Sequence, residues 1–234
     1  MDGGPVALLS ALADLVLPRT CAGCGRAGPA LCGRCARLLT VPHLASPRRF
    51  PPGFPPTVAA GEYAGPVRPA IVAFKERGRA ELARPLGAAL ALSVAGLLAG
   101  LSGPRPSRVL LVPVPSSAAA VRIRGRDHVR ELTGRAVAEL RAAGVPAVQA
   151  RLLRRRGRVR DSAGLTAAER RANLAGSFVR TAAAVPEAVL VLIDDVVTSG
   201  ATLTEAAAAL SAGRRPDAVP ILAAVVAATP RNVR

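Results

Sequence analysis

Aromatic residues are scarce in this sequence: phenylalanine, tyrosine and tryptophan make up 2% of its 234 residues, and tryptophan is absent. A surface that stacks unpaired bases on aromatic rings therefore has few candidates, and we expect only Phe50 and Phe54 to be exposed. Half of the residues are nevertheless hydrophobic, so we expect a globular chain whose core consists of alanine, valine and leucine.

Lysine is almost absent as well, with Lys75 as its only occurrence, although the formal net charge is +17. This lysine does not follow a GxxxxG segment, which excludes a nucleotide-binding loop of the GxxxxGK[ST] type. A positive charge this large predicts phosphate-bearing partners. GC-rich coding also enriches arginine, alanine, glycine and proline, and the sequence leaves both explanations of the charge open.

The sequence also offers few hydrophobic runs that approach the length of a bilayer span. The run over residues 86–101 is rich in alanine and glycine and falls short of a comfortable span, which predicts a buried helix. Residues 5–17 lack a positive segment before them and contain Asp14, so we do not interpret them as a signal peptide. We therefore expect a cytoplasmic protein without a membrane span.

Composition divides the chain into three regions. Residues 1–41 contain a predicted helix over residues 6–17, followed by all the cysteines. Residues 42–56 are rich in proline and predict an extended, polyproline-like linker. Residues 57–234 follow as the main domain.

Strands and helices alternate in the main domain, which predicts an α/β fold with a parallel sheet and crossover helices. The predicted strands are 57–63, 108–115, 188–194 and 217–228, the last interrupted by Pro220. The predicted helices are 65–78, 80–99, 126–143, 165–174 and 202–212, and residues 151–160, with six arginines, predict an exposed basic loop.

The four cysteines form two CxxC pairs, and glycines beside them let the backbone turn its amides toward the sulfurs. Four thiolates at this spacing suit a tetrahedral Zn²⁺ ion, and such closed coordination predicts a structural role. Disulfides fit poorly with the expected reducing compartment, and a dithiol redox site needs only one pair. The predicted ligands are Cys21, Cys24, Cys32 and Cys35.

An apolar run ends at two adjacent acids in the stretch VLVLIDDVVTSGATL, residues 189–203. Small and hydroxylated residues follow at the start of a predicted helix, where free N–H groups and the helix dipole favour an anion. The acids can accept hydrogen bonds from two vicinal hydroxyls, and a vicinal diol with a phosphate describes a ribose 5-phosphate. The residues concerned are Asp194, Asp195, Thr198, Ser199, Gly200, Ala201 and Thr202.

This stretch resembles the phosphoribosyl pyrophosphate (PRPP) motif of type I phosphoribosyltransferases, with Ser199 as a mild departure. The four-cysteine segment, YAGPVRPAIVAFKERG, LLVPVPSS and GLTAAERRANLAGSF resemble the ComF family, and the resemblance extends over nearly the whole chain. It implies a parallel-sheet type I phosphoribosyltransferase fold with a small N-terminal zinc-ribbon subdomain. It also implies a link to DNA uptake in competent bacteria.

The resemblance further implies roles for individual residues. Asp194 and Asp195 would hold the ribose hydroxyls, and residues 198–202 the 5-phosphate. Mg²⁺ would be bound mainly by the oxygens of PRPP itself. Pyrophosphate would lie against Pro115, Ser116 and Ser117, and the basic segment would either cover the site or lie solvated as a loop; its arginines are Arg154, Arg155, Arg156, Arg158 and Arg160.

One segment departs from the family, because RGRDHV (residues 124–129) stands where RGFNQ is typical. Its His128 is a candidate general base without a defined partner, and the sequence identifies neither a catalytic residue nor an acceptor. Two functions are therefore predicted. One is transfer of the phosphoribosyl group, and the other is binding of PRPP or single-stranded DNA without turnover, with a DNA-uptake helicase as a further candidate partner.

Overall fold

The computed structural model describes residues 19–46, 51–102, 106–156, 176–181, 188–212 and 220–230. Its strands are β1 (His43–Leu44), β2 (Thr57–Glu62), β3 (Arg108–Pro113), β4 (Ala147–Gln149), β5 (Leu153–Arg155), β6 (Phe178–Arg180), β7 (Ala188–Val197) and β8 (Leu222–Ala228). Six of them form one sheet in the order β1-β2-β8-β7-β3-β4, in which only β1 runs antiparallel. Strands β5 and β6 form a separate antiparallel pair.

The helices of the described residues are α1 (Gly33–Arg37), α2 (Val67–Glu76), α3 (Ala83–Ala99), α4 (Ala118–Arg124), α5 (His128–Ala142) and α6 (Ala201–Ser211). A 3₁₀ turn over Ala80–Leu82 leads directly into α3. The predicted mixed α/β fold with a mostly parallel sheet is therefore confirmed.

The sheet is covered on both faces, as parallel sheets require, so its central strands are apolar throughout. Successive side chains of a strand point to opposite faces. On one face, Val191 and Ile193 of β7 pack with α2, α3, α5 and the cysteine segment. On the other face, Leu190 and Leu192 pack with α6 and with Phe178 of β6.

Neighbouring strands β3 and β7 connect to helices on opposite faces of the sheet. After β3 and the short helix α4, the chain reaches α5 on the face with the cysteine segment, whereas β7 leads to α6 on the other face. A crevice opens outside the carboxyl ends of two such strands, and ligands of open α/β sheets bind there. The two adjacent acids of β7 lie at this edge.

Several segments differ from the sequence prediction. Part of the proline-rich segment pairs with the sheet as β1, and its Pro51 and Pro55 are buried, so the described part of 42–56 is not a free polyproline spacer. The loop predicted over residues 151–160 is wrong at β5, which pairs with β6. Helix α4 and strand β4 were not predicted at all. The predicted helices 6–17 and 165–174 lie outside the described residues.

One helical stretch of the described chain, Ala80–Ala99, is long and apolar enough to cross a bilayer, with a mean hydropathy of 1.7. However, 56% of this stretch is buried inside the fold, and Leu86 and Leu90 are fully enclosed. Such burial is typical of a core helix in a soluble protein, which agrees with the buried helix predicted from the sequence. The cytoplasmic location stays a prediction.

Two leucines of α3 test the packing of this helix. Leu90 is 0% exposed and Leu92 is 42% exposed, so truncation to alanine should leave a cavity only at the first position. We expect Leu90→Ala to lower the free energy of unfolding by about 2–5 kcal/mol and Leu92→Ala by less than about 1 kcal/mol. Denaturant unfolding of both variants measures the difference, and equal losses would contradict the packing of α3.

Candidate acid-pair site and four-cysteine centre

Asp194 and Asp195 are adjacent in sequence but have different surroundings. Asp194 is half-buried and lines a small, open concavity together with residues 196–203, on the side of α6. Asp195 is 4% exposed and contacts residues of α2 and α5 on the other side. The alternation of side chains along β7 explains this difference. The two carboxyl groups nevertheless lie near each other, because a side-chain hydrogen bond to Asp195 is among the causes that raise the pKa of Asp194.

Asp195 is surrounded by donors. The Nζ atom of Lys75 lies 2.9 Å from its Oδ2, and Nε2 of His128 lies 3.1 Å from the same oxygen. Its Oδ1 accepts the N–H of Val196 at 2.8 Å. Burial alone would raise the pKa of Asp195, but the hydrogen bond from His128 and the charge of Lys75 outweigh it, and the pKa lies well below its usual range. This carboxylate is ionised at neutral pH.

Lys75 and His128 reach Asp195 from two different helices. Desolvation would lower the pKa of Lys75, but the Asp195 and Asp194 carboxylates outweigh it and raise that pKa. The His128 ring is 3% exposed, and its Nδ1 atom has no hydrogen-bond partner among the described residues. The neutral tautomer with the proton on Nε2 suits this geometry, because a second proton on Nδ1 would be a buried donor without an acceptor.

The segment RGRDHV, which departs from the resembled family, attaches α2 to α5. Arg124 makes two hydrogen bonds of 2.9 Å to the carboxylate of Glu76. The guanidinium of Arg126 lies 4.1 Å from the centre of the Phe74 ring. Asp127 begins α5 as its N-cap by accepting the N–H of Arg130 at 3.2 Å. These contacts hold His128 next to Lys75.

The segment of Thr198, Ser199, Gly200, Ala201 and Thr202 runs from β7 into α6 and lines the same concavity as Asp194. The N-cap residue Gly200 has no side chain to cap α6, and Ser199 Oγ accepts the N–H of Ala201 at a long 3.5 Å, so the partial positive charge of the next N–H groups faces the concavity. A capping contact between Thr202 and Glu205, which their spacing favours, is not formed. Glu205 instead accepts the N–H of Gly176 at 3.3 Å.

Gly200 is required by its surroundings as well as by its conformation. Its φ of 76° lies in the left-handed region, and a Cβ atom there would come within 2.7 Å of the Phe54 ring. Phe54 thus packs on the turn between β7 and α6 and is half-buried. The expectation that Phe54 is exposed for base stacking is wrong, and Phe50 lies outside the described residues.

The predicted pyrophosphate turn follows β3 and lies beside β7, since the N–H of Val114 donates to the carbonyl of Ile193 at 2.9 Å. Pro115, Ser116 and Ser117 are all half-buried. Ser117 begins α4 by accepting the N–H of Ala120 at 3.1 Å. The hydroxyl of Ser116 donates to Asp127 at 3.4 Å. Both hydroxyl groups therefore hold the turn in place.

The arginines of the arginine-rich segment differ in exposure, because side chains of β5 alternate between two faces. Arg154 and Arg156 are exposed, whereas Arg155 is half-buried, with its guanidinium 5.6 Å from the centre of the Phe178 ring. Burial lowers the pKa of Arg155, and the charge of Asp194 counteracts this effect. Arg155 thus lies close enough to Asp194 to sense its charge. Arg158 and Arg160 lie outside the described residues.

The four cysteine sulfurs lie within 4.8 Å of one another, and all four thiols are free. The Sγ atoms of Cys24 and Cys32 are 3.7 Å apart, close to the edge of about 3.8 Å of a tetrahedron with zinc–sulfur bonds of about 2.3 Å. Burial would raise the pKa of the Cys21 thiol, but N–H groups of Cys32, Cys24 and Gly23 outweigh it and lower that pKa to about 6. This geometry fits a four-thiolate metal such as zinc.

The cysteine segment packs on the first turn of α2. A Cβ atom on Gly23 would come within 2.9 Å of the carbonyl oxygen of Pro66, the residue before α2. A Cβ atom on Gly61 of β2 would likewise come too close to the carbonyl oxygen of Leu38. Arg79, just after α2, donates to the carbonyl of Thr20 at 2.8 Å. The segment therefore supports the helix that carries Lys75.

Comparison with known proteins adds no assignment, because no protein-family model matches the chain and no curated protein is similar to it in sequence. The fold and the site define the protein at the level of an α/β protein with a four-cysteine cluster and a polar crevice at the carboxyl edge of its sheet. Sequence reasoning did not pair Lys75 or His128 with Asp195. Two features of the sequence could have indicated these residues. Lys75 is the only lysine, and His128 lies in RGRDHV, the segment that departs from the resembled family.

Zinc content tests the four-cysteine centre. We expect one zinc ion per chain, and Cys24→Ser should remove it and lower the free energy of unfolding by more than about 3 kcal/mol, because the segment depends on the metal for its fold. Metal analysis and thermal unfolding measure both effects. Arg34→Ser, an exposed neighbour inside the second CxxC pair, is the control and should change neither. A wild-type protein that is fully stable without metal would contradict the zinc site.

The pH dependence of stability tests the burial of Asp194. Burial, and then the charge of Asp195, raise the pKa of Asp194 from 3.8 to about 8. The folded state therefore holds a proton that the unfolded chain releases, and stability should fall as pH rises from about 4 to about 8. Asp195 has a lowered pKa, so its contribution changes only at more acidic pH.

We expect Asp194→Asn to flatten this decline and to stabilise the protein at pH 8 by on the order of 1–3 kcal/mol, since the side chain is partly exposed. Denaturant unfolding between pH 5 and pH 8.5 provides the measurement. Glu139→Gln removes the same charge from the exposed side of α5 and serves as the control. Parallel pH profiles for wild type and Asp194→Asn would show that Asp194 titrates normally.

Proposed function

We propose that this chain binds PRPP through its ribose 5-phosphate end, together with Mg²⁺, and transfers the phosphoribosyl group to an acceptor. The observation that carries the proposal is one concavity, in which Asp194 and the uncapped start of α6 lie together. A carboxylate accepts hydrogen bonds from hydroxyl groups, and a helix start binds a phosphate. The resemblance of this stretch to the PRPP motif, and of the chain to the ComF family, supports the same function.

In this proposal the acids of β7 meet the ribose hydroxyls, and residues 198–202 bind the 5-phosphate through N–H groups and hydroxyls. Mg²⁺ is held mainly by the oxygens of PRPP. The turn after β3 lies beside β7, which supports its assignment to the pyrophosphate. In the reaction, the bond between the anomeric carbon and the pyrophosphate oxygen breaks, its electron pair leaves with pyrophosphate, and the acceptor supplies the pair for the new bond.

A positive environment supports such a reaction, because negative charge accumulates on the departing pyrophosphate. The net charge of +17 provides this environment for the whole molecule, and Arg155 provides it near Asp194. The two interpretations of the arginine-rich segment, a cover over the site or a solvated loop, stay open at Arg154, Arg156, Arg158 and Arg160.

The second candidate function is binding of PRPP or single-stranded DNA without turnover, and the high positive charge favours it. Phe54 is half-buried against the turn into α6, so it is a poor platform for stacking the bases of single-stranded DNA. A DNA-uptake helicase as partner depends on the resemblance alone. Single-stranded DNA binding that survives replacement of Arg154, Arg155 and Arg156 by alanine would show that this segment is not the contact.

Calorimetric titration with PRPP and Mg²⁺ tests the site. We expect binding that the double variant Asp194→Asn with Asp195→Asn weakens at least about 100-fold, because the carboxyl acceptor for the hydroxyls and the carboxylate that positions it are both lost. Thr202→Val should weaken binding about tenfold at the phosphate. Thr204→Val is the matched control, since its hydroxyl donates to the Gly200 carbonyl at 3.0 Å and does not line the concavity.

Pyrophosphate release is then measured across a panel of nucleobases and amines. Release with any of these acceptors establishes the transferase, and PRPP binding without release from any of them favours the second function. A double variant that binds PRPP as tightly as wild type would refute the site itself.

A further inference from the structure

The two adjacent acids of β7 do not have the same access to a ligand. The ligand-side concavity is lined by Asp194 and not by Asp195. Asp194 has one oxygen, Oδ1, that accepts the N–H of Asp195 at 2.9 Å, and no described residue donates to the other oxygen. Asp195 has donors on both oxygens and is enclosed at 4% exposure. Only one of the two carboxylates is therefore open to a new donor.

We propose that the two acids have separate tasks: Asp194 is the carboxylate that meets the hydroxyls of the ligand, and Asp195 is a positioning residue that Lys75 and His128 hold in place. This inference rests on the proposed function, because it identifies which atom of the same site contacts the sugar. It also changes the prediction from sequence, in which both acids accept hydrogen bonds from the diol.

The positioning task follows from the contacts of Lys75. Lys75 is a third exposed, lies 2.9 Å from Asp195, and also senses the charge of Asp194. Asp195 thus holds the ammonium group away from the open oxygen of Asp194. Without the Asp195 charge, Lys75 is drawn to Asp194, and the open oxygen of Asp194 becomes paired. Asp195 acts on ligand binding through Lys75, without touching the ligand.

His128 fixes the same carboxylate from the α5 side. Its Nε2–H donates to the oxygen that also receives Lys75, and its ring packs edge-on against Phe74 with centres 6.4 Å apart. Glutamine at this position can still present an N–H donor to Asp195, whereas leucine cannot. The two substitutions therefore separate the hydrogen bond from simple packing.

A double-variant cycle on Asp195 and Lys75 tests the inference. We expect Asp195→Asn alone to weaken PRPP binding about 10- to 100-fold, because Lys75 then pairs with Asp194. Adding Lys75→Met should restore affinity to within about threefold of wild type. In the double variant, the oxygen of the introduced asparagine can accept the Nε2–H of His128, as Oδ2 of Asp195 does in the wild type. A double variant that binds PRPP as weakly as Asp195→Asn would overturn the inference. Removal of Lys75 cannot restore a contact that Asp195 itself makes with the ligand.

Two further readouts distinguish positioning from a purely structural role. Carbon-13 NMR should show the Asp194 carboxyl titrating at higher pH in Lys75→Met, because the charge of Lys75 lowers its pKa in the wild type. His128→Gln should keep PRPP affinity within about threefold, and His128→Leu should lose about tenfold. An unshifted Asp194 titration, or equal affinity of the glutamine and leucine variants, would contradict the proposed network.

Thermal unfolding of wild type, the two single variants and the double variant of this cycle separates the inference from the proposed function. We expect each single variant to lower the midpoint by about 2–8 °C and the double variant to lower it less than either, because no unpaired charge remains. If wild type binds no PRPP, the proposed function fails and the ligand task of Asp194 fails with it. If the midpoint of the double variant falls by the sum of the two single-variant changes, Asp195 and Lys75 do not interact. That result would overturn their pairing whether or not the protein binds PRPP.

Discussion

The buried carboxylate of Asp195 is the interaction on which the functional edge of this protein depends. It joins three elements that are distant in sequence, since Lys75 comes from α2, His128 from α5, and Asp195 from the central strand β7. An ionised carboxylate at 4% exposure is stable only with partners, and removing one partner typically costs about 3–5 kcal/mol. The network therefore fixes α2 and α5 against the end of β7.

The remaining contacts around the edge support this network. The cysteine segment packs on the first turn of α2, and Arg124 and Arg126 attach its last turn to the start of α5. Helix α6 lies on the opposite face, where its uncapped start and Asp194 form the concavity. The fold thus separates a rigid ionic face from an open polar face, and the alternation of β7 assigns one acid to each.

Much of this arrangement was predictable from local sequence. Apolar runs predicted β3 and β7, glycine and hydroxyl residues predicted the turn into α6, and the cysteine spacing predicted a compact cluster of four thiols. Contacts over long sequence separations were not predictable. The pairing of His128 with Asp195 spans 67 residues, and that of β5 with β6 depends on an edge that only the folded chain brings together. Strand β1 was not predicted, because the prolines around it favour an extended linker over a paired strand.

The adjacent acids show why a motif alone is insufficient at such a site. A two-acid pattern predicts two equivalent hydrogen-bond acceptors, but the period of a strand places neighbouring side chains on opposite faces. The surroundings then decide the chemistry: donors on α2 and α5 keep Asp195 ionised, while burial raises the pKa of Asp194 to about 8. The same residue type has its pKa shifted in opposite directions one position apart.

A crystal structure of the protein with ribose 5-phosphate and Mg²⁺ tests the account most directly. The account predicts electron density for the phosphate at the start of α6 and for the ribose hydroxyls against Asp194. It also predicts that Asp195 keeps its contacts with Lys75 and His128. A sugar phosphate bound away from this edge, or hydroxyls bound to Asp195 with Lys75 displaced, would contradict it.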